Sequence, residues 1–354
     1  MKIIYRSIIK ELTLTFIITL AFLNLILMME RLLRLTRFLS GVGASIIDMA
    51  ELILYLQPQL LLLTIPMALL LSILLVYGRL NLDNELVILK TSGMDFYSIS
   101  KPVFVLGTIC FLLNMIVSLY IGPRSSTWLR NEITSVITTR LPSAIEEGTF
   151  NTLFKDIVIM IREKPSQDTF RGFFMYDGRN KNEPKVLVAK EGKMYRSEGS
   201  GANFFLKDGY IHIAKGENTT ELIFEKYNMI LELESDLPSK KIPELTPFEL
   251  VKEIRKKTKR TSSLQLELDR RLSLPLLCII LVFLGPPLSL MAGKSGRLGG
   301  LAIGLGVFTL YYVLLIYGEN LVRAGKISHY IGAWTSTLIL VLLGLFLFRN
   351  ARNS

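Results

Sequence analysis

Three arginines, Arg31, Arg34 and Arg37, follow one another at three-residue intervals directly after an apolar run. On a helix this spacing spreads them over roughly a third of the circumference. Guanidinium binds phosphate oxygens through paired N–H donors, so such a cluster suits an anionic, phosphate-bearing ligand. Side chains that merely snorkel to a membrane surface have the same spacing, and spacing alone leaves both readings open. Arg323 and Lys326 follow the fifth apolar run and would complete a basic rim at the same level.

Other chemistries lack their residues. The chain has two histidines, His212 and His329, and carries no HExxH, paired CxxC or nucleophile elbow, so metal and triad catalysis have no donor set. Gly293-Lys294-Ser295 resembles the end of a phosphate-binding loop. The loop's first glycine position is Leu288, however, and no strand-to-helix context surrounds it. No cofactor is expected on this chain, and any ATP with its Mg would be used by a separate subunit.

The loop 78–101 holds the second informative group. Asn81 and Asp83 can start a short helix near 81–92 and Ser92-Gly93 can end it. Leu82, Leu86 and Leu89 fall on one stripe, with Val87 and Ile88 on the remaining sides. So apolar a helix needs cover, either from a groove in a partner or from the chain's own bundle, with Glu85 and Lys90 left for charge pairing.

The elements that position these groups follow from composition. Of the 354 residues 50% are hydrophobic and 20% charged, with 41 Lys+Arg against 30 Asp+Glu. Residues 122–271 alone hold 26 basic and 22 acidic side chains, leaving two charge-poor flanks around a polar centre. This pattern excludes disorder, a fibre and a free soluble enzyme. The net charge of +11 is explained by membrane topology without nucleic acid as a partner.

A helix needs about 20 apolar residues to cross the hydrocarbon core. Six runs qualify: 12–29, 52–78, 102–123, 272–293, 298–318 and 330–348. Lys2, Arg6 and Lys10 before the first run resemble a signal peptide, but no small-residue cleavage site follows, so the run reads as a retained span. Placing both termini inside collects ten basic residues on the inner face and five in the short outer loops, which the positive-inside bias favours. The polar domain is then exported. Cys110 and Cys278 both lie in spans and read as packing residues.

Within the polar block, 157–162, 171–176, 185–190, 203–207, 210–214 and 221–233 alternate or are β-branched, with turn signals at Asp177-Gly178, Glu191-Gly192, Asp208-Gly209 and Lys215-Gly216. These predict an all-β sandwich, jelly roll or barrel, either solid or open along one side. The expected fold class is a polytopic α-helical membrane protein with six transmembrane helices, 3+3, and an inserted all-β, jelly-roll-like domain. Its divisions are helices 1–3 over 1–121, the β domain over 122–250, a connecting helix over 251–271 and helices 4–6 over 272–354.

The order of parts resembles the LptF/LptG permeases of the lipopolysaccharide export system, also called the YjgP/YjgQ family, over nearly the whole chain. Local matches are Gly78-Arg79-Leu80 with Glu85-Leu86 and Gly93, Leu266-Glu267-Leu268 with Arg270-Arg271, and Pro287-Leu288-Ser289 with Gly296-Arg297. The resemblance implies one half of an ABC exporter: a paralogous permease pairs with it, and two copies of a cytoplasmic ABC ATPase dock below. The helix around Glu85, with Leu82, Leu86 and Leu89, would couple to the ATPase. Arg31 and Arg34 match basic positions that contact lipopolysaccharide phosphates, while Arg37 rests on position only. The β domain would pass acyl chains to a bridge of similar periplasmic domains. The location implied is the inner membrane of a Gram-negative bacterium, with both termini cytoplasmic, and the Pro-Leu-Ser and Gly-Arg pattern is closer to the LptF branch. A membrane-anchored binding or assembly protein that transports nothing is the competing function. The basic stretch 252–260 is left without an assignment.

Overall fold

The structure, a computed structural model, describes residues 2–39, 45–144, 147–154, 156–166, 168–180, 183–196, 201–215, 218–232, 240–257, 260–292 and 296–353. The glycine-rich motif at 293–295 lies outside them. Nine α-helices are described: α1 Lys2–Leu39, α2 Ile46–Leu82, α3 Glu85–Thr91, α4 Phe96–Ile116, α5 Gly122–Ala144, α6 Pro247–Arg255, α7 Thr261–Ala292, α8 Gly296–Arg323 and α9 His329–Asn353. Among the described residues six helices are long and apolar enough to span a membrane: α1, α2, α4 continued into α5, α7, α8 and α9. The chain is a multi-pass membrane protein with a β domain inserted between the third and fourth spans.

The chain forms two compact units. The first comprises Met1–Arg31, Tyr55–Thr127 and Lys240–Ser354. Its core runs from Ile8, Leu12 and Phe16 of α1 through Leu69, Ile73 and Tyr77 of α2 to Val103 and Cys110 of α4 and Cys278 and Val282 of α7. A second cluster joins α7 to α8 and α9 through Leu277, Leu281, Tyr311, Leu315 and Leu340. The outer sides of α1 (Leu14, Ile18, Phe22 and Leu25) and of α8 (Leu310, Val313 and Tyr317) are left uncovered by the chain.

Prolines interrupt α2 at 58 and 66 and α7 at 275, 286 and 287. A proline has no N–H, so the carbonyl four residues earlier loses its helical partner. The polar face of α4 and its continuation supplies replacements. Asn114 Nδ2 lies 3.5 Å from the Leu62 carbonyl, which Pro66 leaves open. Ser118 donates to the Arg271 carbonyl, which Pro275 leaves open, at 2.8 Å. Ser125 donates to the Tyr55 carbonyl, three residues before Pro58. Ser118 itself lies in a π-helical turn, Val117–Ile121, that joins α4 to α5.

The second unit comprises Leu32–Leu54 and Trp128–Ser239. The helices run on past the expected division at 121. The far ends of α1, α2 and α5 keep an apolar stripe that packs Leu35, Met49, Leu52, Leu129, Ile133 and Val136 together. Among the described residues the rest of this unit forms one six-stranded antiparallel sheet in sequential order: β1 Phe150–Phe154, β2 Ile157–Glu163, β3 Thr169–Asp177, β4 Lys185–Arg196, β5 Gly201–Lys215 and β6 Asn218–Glu232. The described pairings are those of a meander.

Two glycine signals expected as turns lie inside strands. Glu191-Gly192 is in the middle of β4, and Asp208-Gly209 lies in β5 and joins the two runs expected at 203–207 and 210–214. Burial explains the misreading. Phe170 and Phe173 in β3 are both buried although three apart, as are Ala189 and Gly192 in β4, and Leu206 and Ile211 in β5 show the same change of parity. The switch points are Gly172 (φ +67), Lys190 and Asp208 (φ +52), and the pairing register aligns them across the sheet. They form a crease at which inward-facing side chains change parity, the strand-interior use of glycine and positive φ. Gly209 is needed there because a Cβ would strike the Val188 carbonyl. Residues from both sides of the crease, Ile159, Phe173 and Leu187 with Phe170, Met194 and Phe204, share one core.

The segment expected as one connecting helix over 251–271 is two helices. α6 starts at a Thr246–Glu249 capping box, and Lys257 at φ +46 separates it from α7.

Candidate functional site

At the end of the first unit a cleft of about 270 Å³ is lined by Arg31, Gln59, Ser118, Ser126, Glu267, Arg270 and Arg271. Five helical segments supply these residues: α1, α2, the π-helical turn, α5 and α7. Arg31 comes from α1 and Gln59 from the proline-broken stretch of α2, where its Nε2 donates to Ser126 Oγ at 3.0 Å. Ser118 comes from the π-helical turn, and the α7 residues precede its charge-free stretch.

The two adjacent arginines of α7 do different work. The Arg271 side chain is only 6% exposed. It donates to Glu267 Oε1 at 3.0 Å and to the backbone carbonyls of Leu245 at 2.6 Å and Pro243 at 2.9 Å. With its donors taken, Arg271 is a strut that ties the 3-10 turn Ile242–Glu244 to α7. Arg270 is half-exposed and lies 3.5 Å from Glu319 of α8, whose other oxygen is 3.5 Å from Arg323. One largely buried carboxylate therefore stands between two guanidinium groups. Arg31 has no ion pair among the described residues. Arg31, Arg270 and Arg323 against the single carboxylate of Glu319 leave the group electropositive, with Arg271 neutralised by Glu267. Such a group attracts an anion.

Of the expected basic residues, Arg31 lines the cleft and Arg323 joins it through Glu319. Arg34 is exposed on α1 in the second unit, Lys326 is exposed in the turn between α8 and α9, and the Arg37 side chain lies outside the described residues. Sequence reasoning named Arg270 only within a family match, not as a site residue, and missed Glu319. The signals were present: an Arg-Arg pair at the border of the fourth span, and an acid four residues before Arg323 on a helix.

The second candidate is the short helix α3. Asn84 in the left-handed conformation (φ +58) precedes it and Gly93 (φ +86) follows it, so its start lies later than Asn81 and Asp83 suggested. Leu86 is buried and Leu89 packs against the first unit's core. The uncovered apolar residues are Leu82 at the end of α2 and Val87 and Ile88 of α3, exposed by 44%, 52% and 60%. The expected stripe is thus divided, because a helix of two turns lying on a bundle must turn one side inward. Glu85 accepts from Arg79 Nη1 at 2.9 Å, and Arg79 also grips Glu11 with two bonds of 2.7 and 2.8 Å and Asp83 with one of 3.1 Å. Three carboxylates around one guanidinium leave this corner acidic. A groove of about 410 Å³ between the start of α1 and α3 adjoins it, lined by Ile3, Ile4, Ile88 and Leu89 with Glu11 and Glu85.

Among the described residues no group of three His, Cys, Asp or Glu could hold a metal. The chain is 29% identical over 206 residues to an uncharacterized protein of Rickettsia prowazekii (strain Madrid E), a match covering 58% of this chain and 57% of that one. The family described as "Lipopolysaccharide export system permease LptF/LptG" matches residues 6–350. That match embraces both branches and takes in the six spans, the β domain and both candidate surfaces, so the chain belongs to the LptF/LptG family of lipopolysaccharide export permeases.

Proposed function

We propose that this chain is a permease subunit of an ABC exporter that extracts lipopolysaccharide from the inner membrane, paired with a paralogous permease and driven by two copies of a cytoplasmic ATPase. Both termini and α3 face the cytoplasm, and the β domain faces the periplasm and hands the lipid to a bridge of similar domains. The observation that carries this reading is the electropositive cleft among membrane helices, where Arg31 has no counter-ion among the described residues and Arg270 shares one with Arg323. A phosphorylated glycolipid supplies the missing anionic groups, and bidentate guanidinium bonds suit its phosphates. Lys326, in the same unit, extends the basic set for this ligand, and Arg34 and Arg37 are proposed as further phosphate contacts on the second unit. The acidic corner at Glu11, Asp83 and Glu85, with Leu82, Val87 and Ile88 uncovered beside it, suits an ATPase surface that is basic and apolar; Leu86 and Leu89 seat α3 from behind.

The test is photocrosslinking from a probe at Gln59 to lipopolysaccharide in the purified complex. Arg31→Glu combined with Arg270→Glu should reduce the crosslink by about tenfold or more, the size expected when two attractions to phosphate become repulsions. Undiminished crosslinking would overturn the assignment of the cleft. Ile88→Glu should abolish co-purification of the ATPase, and normal co-purification would remove α3 from the proposal.

A further inference from the structure

The basic stretch after the β domain is absorbed by neither surface. α6 divides into two sides. Leu250 is fully buried and Ile254, four residues on, shares its side. On the opposite side a helical period of 3.6 residues brings Phe248, Val251, Lys252 and Arg255 together. Phe248 is 82% exposed and Val251 40%. Lys252, Arg255, Lys257 and Arg260 are exposed and have no ion pair among the described residues. The nearby acids are engaged, Glu249 by Lys240 and Glu253 by Lys256.

The height of this helix relative to the membrane follows from the Arg271 strut. Arg271 immediately precedes the charge-free stretch of α7 and holds the carbonyl of Leu245 at 2.6 Å. α6 begins two residues after that carbonyl. Leu245 and Thr246 are extended, spanning at most about 3.3 Å per residue, and α6 then rises about 1.5 Å per residue, so Phe248 falls within about 8 Å and Val251 and Lys252 within about 14 Å of the carbonyl that Arg271 holds, the reach of a headgroup layer and its ionic shell. Arg255, Lys257 and Arg260 follow about one Debye length beyond. An aromatic and an aliphatic side chain flanked by unpaired cations, beside the entry of a span, is the composition of an interfacial helix.

We propose that α6 is a membrane-surface helix whose outer face docks through Phe248, Val251 and Lys252 on the anionic phospholipid headgroups of the bilayer that α7 enters, with Arg255, Lys257 and Arg260 attracted to the same charge from about a Debye length away. The occupant is a lipid surface because the face lies at the membrane border and alternates apolar with cationic residues. Leu250 and Ile254 hold the helix to its own chain, so the outer face is free to do this. Docking would fix the chain segment between the β domain and the fourth span at the membrane, whatever the cargo of the permease.

The experiment uses the full chain as Phe248→Cys carrying an environment-sensitive fluorophore; Cys110 and Cys278 are fully buried and do not compete for the label. The chain is placed in nanodiscs containing lipids with nitroxide-labelled acyl chains, either with phosphatidylglycerol or of phosphatidylcholine alone. Quenching is expected with phosphatidylglycerol, falling as salt is raised, and weakening by about fivefold for each cation changed to Gln at Lys252 and Arg255. Equal quenching in both disc types, water-like emission in both, or shielding that appears only when a soluble protein is added would each overturn the proposal. The salt titration of the labelled chain needs no further substitution, so the outcome does not depend on how the Gln variants fold.

Discussion

The hydroxyl of Ser118 lies 2.8 Å from the carbonyl oxygen of Arg271, the acceptor that Pro275 cannot serve because it has no N–H. Ser118 is 2% exposed, so no water replaces it. Ser118→Ala should cost about 1–3 kcal/mol, the penalty for leaving a buried acceptor unpaired. Pro275→Ala returns an N–H to the helix, so the double variant should recover most of the loss. Thermal unfolding of the four proteins in detergent checks this, and strictly additive losses would show that the bond does not serve the proline break.

Arg79 holds Glu11 with two bonds and Glu85 with one. Glu11→Gln should therefore loosen the join between α1 and α3 more than Glu85→Gln does, and Arg79→Leu should loosen it most. Proteolysis of the loop around α3 is the measurement, and the order of cleavage rates is expected to be Arg79→Leu, Glu11→Gln, Glu85→Gln, unsubstituted chain. Separately, Glu85→Gln removes charge from the exposed acidic corner and should weaken association with the proposed ATPase, most at low salt where the charge is least screened.

The crease of the β sheet predicts a position-specific intolerance. A side chain at Gly209 meets the Val188 carbonyl and the Phe224 ring, and one at Gly172 meets Arg162 Cβ at 2.8 Å in a left-handed backbone conformation. Gly209→Val should destabilise the β domain by about 2–4 kcal/mol, in the range for overpacking plus strain. Gly178→Ala, at the end of β3, should cost much less. Protease resistance of the segment 150–232 in the full chain separates the two.

The capping box of α6 gives a pH dependence with a definite sign. The ammonium of Lys240 at 2.6 Å, helped by the Thr246 backbone and hydroxyl, holds the Glu249 carboxyl down to about 2 from its ordinary 4.5. A carboxyl lowered by folding stabilises the helix above the unfolded value and loses that contribution as pH falls through the folded one. α6 should therefore loosen between about pH 4.5 and pH 2, and Glu249→Gln should remove this response while weakening the cap at neutral pH. Amide protection of residues 250–255, compared between the two proteins across that window, is the measurement.

The spans were legible in the sequence because membrane thickness sets a length that charge-free runs either reach or do not. The β domain was legible as alternation, and of its turn signals Asp177-Gly178 and Lys215-Gly216 stand where β3 and β5 end, Gly216 itself lying outside the described residues, while Glu191-Gly192 and Asp208-Gly209 misled. Asp208-Gly209 has the composition of a hairpin and sits instead where a long strand changes parity, a need that arises only from the neighbouring strands. The same limit hid Glu319. Its partner Arg323 is local, yet its second partner, Arg270, lies 49 residues earlier and meets it only through helix packing. Leu86 and Leu89 were read as needing cover from a partner or from the chain's own bundle, and composition could not show that the chain's own core supplies it. Arg271 illustrates the converse case: next to Arg270 in sequence, it is consumed by backbone carbonyls that no motif announces.

Each strand of the β domain pairs with the strand before it in the chain, from β1 to β6. Contacts so local in sequence require little loop closure, which is the property that goes with fast folding. The domain can therefore zip one hairpin at a time as the chain is delivered, with each new strand finding its template already in place. It needs neither its own C-terminal strand nor a disulfide to begin, and the fourth span need not have entered the membrane for most of the sheet to exist.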